Sequence, residues 1–175
     1  MDKRHTANIQ VKNKITDALL ALMKQQPFQA IRVSDIVKKA DVARVSYYRN
    51  FESKEAILYA QGHRLHEEYM QNRPLAEPSL LSYDDILYHF EFYDKHRDFL
   101  LELSRHGLSY LLLDMFNAFI EDGLADPDGD IIEQSRIYCY AGAIFNLMLH
   151  WLKRGAKETP QVMAKAAADA FRDLK

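Results

Sequence analysis

The 175-residue chain has a single cysteine, Cys139, so no internal disulfide can form. With Tyr138, Tyr140 and Ala141 as its neighbours in an apolar stretch, Cys139 reads as a buried free thiol, and the whole fits a reducing cytoplasm. No apolar run approaches the roughly 18 residues that a membrane-spanning helix requires. Met1-Asp2-Lys3-Arg4-His5 has no apolar stretch behind it, so a secretory leader is not expected. There is no strand-like alternation, internal repeat or low-complexity tract. A glycine-rich nucleotide loop, a metal-protease signature and a locally supported Ser-His-Asp arrangement are missing as well, which removes the usual grounds for an enzyme. A triad assembled from distant residues would leave no such trace. No cofactor or metal is implied. His63 and His66, three apart with Glu67 beside them, could present a metal-binding face, but no third ligand is firmly placed in sequence reach, and a solvated helix surface is the simpler reading.

What is present is helical. Apolar residues at three-and-four spacing (Ile9, Ile15, Ala18, Leu19, Leu22) predict a helix over 8–26, ended by Gln25-Gln26-Pro27. Short helices follow at 34–40 and 44–50 around a tight turn, Asp41-Val42-Ala43. A fourth helix runs over 53–71, with Ser53 as its cap and Glu55 in its first turn. Asn72 to Ser82, containing Pro74 and Pro78, reads as a linker. Further helices are predicted at 83–95, 97–105, 107–123, 131–154 and 160–173. They are separated by Gly123 with Asp126-Pro127-Asp128-Gly129-Asp130, and by Gly155 before Pro160. The fold class is all-α: a three-helix module over 1–58, a connecting helix over 53–71, and a helical body over 72–175. The net charge of −2 conceals an asymmetry: residues 1–60 carry 11 Lys+Arg against 6 Asp+Glu, whereas the remainder is acidic. A basic module on an acidic body suggests that the module meets a polyanion.

Residues 31–58, IRVSDIVKKADVARVSYYRNFESKEAIL, carry the sharpest signal. Two short helices joined by a three- or four-residue turn form a helix-turn-helix, whose second helix enters the major groove of DNA. The first helix packs through Ile36, Val37 and Ala40, and Val42 plugs the turn. Val45 and Tyr48, three apart, share a face that Phe51 continues, which leaves Arg44, Ser46, Tyr47, Arg49 and Asn50 to face outward. Arginine suits guanine there, because its fork matches the two acceptors on that base edge.

Asp35-Ile36, Ala40, Val42, Arg44, Tyr48-Arg49, Phe51 and Ser53-Lys54-Glu55 together resemble the TetR family of bacterial transcriptional regulators. The resemblance implies that Tyr48 sets its hydroxyl on a phosphate, that Lys54 contacts the DNA backbone, and that Arg44, Ser46 and Tyr47 lie nearest the bases or the adjoining phosphates. The full candidate DNA-binding set is Arg32, Ser34, Arg44, Val45, Ser46, Tyr47, Tyr48, Arg49, Asn50 and Lys54. Lys3, Arg4, Lys12 and Lys14 could add an arm and a first-helix contact to phosphates. The sequence departs from the family at Asp41, where Gly is common, and at Ala43, where a serine would cap the recognition helix. It departs again at Arg32, where Thr is common, and Ser34 could take over the capping there.

Double-stranded operator DNA read by such modules is usually pseudo-palindromic, which asks for a homodimer. The candidate dimer stripe is Ile132, Cys139, Ala143, Leu147 and Trp151, with Ala141-Gly142-Ala143 allowing close helix approach. The middle helices are rich in aromatic residues. The resemblance implies a small-molecule inducer held among them, with His89, Tyr93, Tyr110, Phe116, Asn117 and Asn146 as candidate contacts. A body that senses a protein partner is the alternative. An enclosed apolar cavity would favour the first reading, and a filled body with an exposed apolar patch the second.

Overall fold

The computed structural model describes residues 3–74, 82–123 and 129–173, and among these all regular structure is helical. Helix α1 spans Lys3–Met23 and a 3-10 turn spans Phe28–Ala30. Helices α2 (Val33–Ala40) and α3 (Arg44–Asn50) follow, then α4 (Lys54–Asn72), α5 (Tyr83–Lys95), α6 (Arg97–Arg105), α7 (Ser109–Gly123), α8 (Ile131–Lys153) and α9 (Pro160–Asp173). Lys3 and Arg4 lie within α1 and not in an arm before it. Pro78 of the expected linker, and Asp126, Pro127 and Asp128 of the expected turn, lie outside the described residues.

The helix starts follow from side-chain chemistry. Ser53 Oγ accepts from the Ala56 N–H at 3.0 Å and caps α4; Ser82 Oγ accepts from the Asp85 N–H at 3.2 Å and caps α5; Asp130 caps α8 through the Ile132 N–H. At α2 the Arg32 N–H donates to the Asp35 carboxylate at 2.9 Å, so Asp35 closes this helix start and Ser34 stays exposed with no capping role. Gly155 has φ +89°, the left-handed conformation that ends α8 one residue past its cap.

One continuous core joins module and body. Ile15, Leu19, Phe28, Ile31, Ile36 and Tyr47 belong to the same buried cluster as Leu58, Phe90, Leu103, Ile144 and Trp151. Trp151 is 2% exposed, stands edge-on to Phe90 at 5.4 Å and donates its Nε1–H to the Glu158 carbonyl at 3.1 Å. It therefore belongs to the body's own core and not to the dimer stripe. The helical period carries residue 151 inward, while Ile132, Cys139 and Ala143 stay exposed on the far face of α8. Cys139 is thus an exposed thiol and not a buried one.

Candidate functional site

The turn between α2 and α3 is built on Asp41, which takes the left-handed conformation (φ 51°, ψ 55°) that glycine adopts without cost and that aspartate tolerates better than most residues. Ala43 is the N-cap of α3 in extended conformation and offers no side-chain acceptor. Ala43→Ser is therefore expected to stabilise the chain by about 0.5–2 kcal/mol in urea unfolding, and no gain would mean that solvent already satisfies the first turn.

Helix α3 turns a different face to the core than its sequence suggests. Tyr47 is fully buried and Phe51 is 5% exposed; these two, four apart, form the inner face. Val45 is 73% exposed and Tyr48 52%, so both point outward. The facing expected from the spacing is reversed at three positions: Tyr47 belongs to the core, and Val45 and Tyr48 are surface residues. In a seven-residue helix with two adjacent tyrosines, three- and four-residue spacings predict opposite faces, and the partner core decides between them. The Tyr47 hydroxyl finds no hydrogen-bond partner among the described residues. Tyr47→Phe should raise stability by up to about 1 kcal/mol, because it removes a buried unsatisfied group. It should leave DNA affinity unchanged, and a loss of affinity would return Tyr47 to the DNA-contacting set.

The outward face carries Arg44, Val45, Tyr48 and Arg49, with Arg32, Ser34, Lys38 and Lys39 exposed nearby on or beside α2. Arg44 Nη2 donates to the Tyr48 hydroxyl at 3.2 Å, and its guanidinium lies 5.6 Å from the Tyr48 ring centroid. The pair is one turn apart on the helix and holds the arginine fork in place. Ser46 and Asn50 are half-buried and tied together, the Asn50 amide donating to the Ser46 carbonyl at 2.8 Å. Lys54 is turned inward: its Nζ donates to the Phe28 carbonyl at 2.6 Å and the Ile31 carbonyl at 2.8 Å, and it sits 4.4 Å from the Phe28 ring centroid. It pins the 3-10 turn to the start of α4, a structural role that the motif alone did not disclose.

Residues 15–60 match the bacterial regulatory proteins of the tetR family, and residues 82–173 match a transcriptional regulator C-terminal region. The chain belongs to the TetR family. A curated relative, the uncharacterized HTH-type transcriptional regulator YxbF of Bacillus subtilis, is 25% identical over 151 residues. That alignment takes in 82% of this chain, which spans 40% of the relative's length. Among solved structures, Lin0861 from Listeria innocua superposes with a TM-score of 0.76 at 14% identity, over 100% of this chain and 94% of that one. The fatty acid degradation regulator FadR from Bacillus halodurans follows at 0.57 and 18% identity, over 90% and 92% of the two chains. FadR from Bacillus subtilis in complex with stearoyl-CoA gives 0.50 at 18% identity, over 89% and 95%. At these identities the structural likenesses establish a shared fold.

In the body of this TetR-family regulator, Gly62 and Leu65 of α4, Tyr93 of α5, Phe99 and Leu100 of α6, Leu112, Met115, Phe116 and Phe119 of α7, and Phe145 and Met148 of α8 line a cavity of about 30 Å³. That is room for one or two waters. Met115 fills the adjoining space: a Cβ added at Gly62 would lie 2.0 Å from its sulfur. Of the expected ligand contacts, Tyr93 and Phe116 line this cavity, and His89 packs behind them, tilted against the Tyr93 ring at 4.7 Å and edge-on to Phe116 at 5.8 Å. Asn117 is half-buried outside it. Tyr110 is 54% exposed, and Asn146 is exposed with its amide donating to the Gly142 carbonyl at 2.7 Å. Neither faces the cavity, because each sits on the outer side of its helix.

Burial drives the His89 pKa down to about 3, and its Nε2 has no hydrogen-bond partner among the described residues. The folded chain therefore keeps His89 neutral while the unfolded chain protonates it near pH 6.5. The stability it contributes is complete above pH 6.5 and is lost as pH falls toward 3. The expected cost is about 1 kcal/mol between pH 6.5 and 5.5, absent in His89→Phe; equal slopes for the two proteins in urea unfolding would refute it.

His63 and His66 do not converge on a metal site. His66 stacks on Phe119 at 3.7 Å and His63 meets the same ring edge-on at 5.4 Å. Among the described residues no group of three His, Cys, Asp or Glu side chains is placed to hold a metal ion. No described helix is long and apolar enough to cross a membrane.

Proposed function

We propose that this regulator is a repressor that binds a pseudo-palindromic operator as a homodimer and is released when a small molecule enters the cavity of its body. Residues 1–58 read the DNA, the helix over 53–71 connects, and residues 72–175 sense and dimerise. The observation that carries the reading is the solvent-facing surface of α3, where Arg44, held on Tyr48, stands beside exposed Arg49 and Val45 on the basic end of the chain. Arg32 and Ser34 flank it, Ser46 and Asn50 support the helix from its side, and Lys54 anchors the module. For the dimer, support comes from α8: Ile131 and Ile132 are 70% and 60% exposed, and Cys139 and Ala143 lie open along the same helix with Leu147 half-buried. A Cβ at Gly142 would meet nothing within 4 Å, so a second helix has space there.

For the effector, support comes from the apolar cavity wall, the unsatisfied His89 Nε2 behind it, and a related fold that holds stearoyl-CoA. The ligand that suits this lining is largely apolar and enters only when Met115 swings away from Gly62. The cavity's small volume favours a second reading, in which a protein partner controls the body. Titration against DNA from upstream of the chain's own gene, at two salt concentrations with random competitor, tests the DNA reading. Nanomolar binding with a clear salt slope supports it, and binding equal to random DNA refutes it for that site. Stearoyl-CoA added to that complex separates the effector readings: release favours the small molecule, and no release favours the partner.

A further inference from the structure

His106 caps the end of α6 with its side chain 12% exposed, and both ring nitrogens are used. Nδ1 faces the Phe28 N–H at 3.3 Å; Nε2 lies 2.9 Å from the Met23 carbonyl and 3.1 Å from a Glu102 carboxylate oxygen. The backbone N–H of Phe28 can only donate, so Nδ1 must accept, and the proton sits on Nε2. One imidazole thus ties α6 to the last residue of α1 and to the 3-10 turn. Carbonyls at its start, Phe28, and just past its end, Ile31, hold Lys54, and the turn leads through Ile31 into the N-cap of α2. An ion pair across this seam, Lys24 with Asp98, spans 3.9 Å between exposed side chains and contributes little. Nearer its start, α6 reaches the cavity through Phe99 and Leu100.

We infer that His106 is a positioning residue: it fixes the helix-turn-helix module against the body and so sets DNA affinity without touching DNA. The inference rests on the reading that α3 binds DNA. A module held at one angle presents its recognition helix pre-oriented, whereas a loosened one must be ordered at the moment of binding. The seam also joins the cavity wall to the module by a rigid helix.

The test compares the full chain with His106→Leu and His106→Gln, each checked for a cooperative melt. Leucine removes the hydrogen bonds of both ring nitrogens; the glutamine amide restores an acceptor and a donor. Amide exchange at residues 24–31 and affinity for the upstream DNA fragment are measured. His106→Leu is expected to speed exchange at Phe28 and to weaken DNA binding by at least about tenfold, with His106→Gln within about twofold of wild type. Unchanged exchange and affinity in His106→Leu, or a glutamine variant as impaired as the leucine one, overturns the inference. If His106→Leu does not melt cooperatively, the ring nitrogen resonances of the wild-type protein decide: an Nε2–H tautomer with Nδ1 accepting supports the joint, and an Nδ1–H tautomer overturns it. A wild-type chain without selective DNA binding refutes the DNA reading, and exchange at Phe28 still decides whether the joint exists.

Discussion

Arg73→Ala lowers the stability of the folded chain by about 3–5 kcal/mol in urea unfolding, the largest effect expected of any single truncation outside the apolar core. Arg73 ends α4, and its guanidinium grips Asp85 in the first turn of α5 through two bonds, Nε to Oδ1 at 2.9 Å and Nη2 to Oδ2 at 2.7 Å. The two side chains are 8% and 4% exposed, so water cannot replace the arginine at low cost once it is gone. The prediction concerns the buried carboxylate that loses its arginine, not the worth of the pair. Arg73→Met with Asp85→Leu, which removes both charges, should recover most of the loss. A loss under about 1 kcal/mol for Arg73→Ala would mean that the pair is solvated in solution. The pair also joins two walls of the cavity: α4 brings Gly62 and Leu65 to it and α5 brings Tyr93, so a fault at this clamp shifts one wall against the other.

The elements of this chain were legible because its breakers are few and well placed. Pro27, the turn at Asp41, Ser53, Gly155 and Pro160 each interrupt a clear apolar period, and the helices start or stop beside them. The motif from Asp35 to Glu55 was specific enough to point to the family, since aromatic, basic and capping residues recur there in fixed order. What the sequence withheld is rotational. Tyr47 and Tyr48 are chemically identical, and only the packing of α3 on Ile36 and Phe51 decides which one turns inward. Trp151 and Ala143 occupy one helical stripe on paper, but α8 lies against α5 at one end and faces solvent further back, so the stripe divides between core and surface. Long-range polar contacts left no periodic trace at all. Nothing local announces that Lys54 reaches the Phe28 carbonyl or that His106 meets Met23, 83 positions away.

The contact between Arg44 and Tyr48 leads to the largest expected effect on DNA binding. Arg44→Ala should weaken binding to the operator by about 1–3 kcal/mol and relax base preference, because an exposed fork near the start of the recognition helix suits a guanine edge. Tyr48→Phe removes the hydroxyl that would reach a phosphate, and that loss should fall alike on operator and random DNA. The same hydroxyl accepts from Arg44 at 3.2 Å, so its removal also frees the guanidinium to wander, which adds a smaller, sequence-selective loss. The two substitutions should therefore be non-additive. In a double-mutant cycle the combined variant should lose less than the sum of the singles, by about 0.5 kcal/mol or more. Strict additivity would mean that the arginine reaches the base without support from the tyrosine. An equal loss on operator and random DNA for Arg44→Ala would instead make Arg44 a phosphate contact, and base selection would pass to Val45 and Arg49, which are exposed on the same short helix.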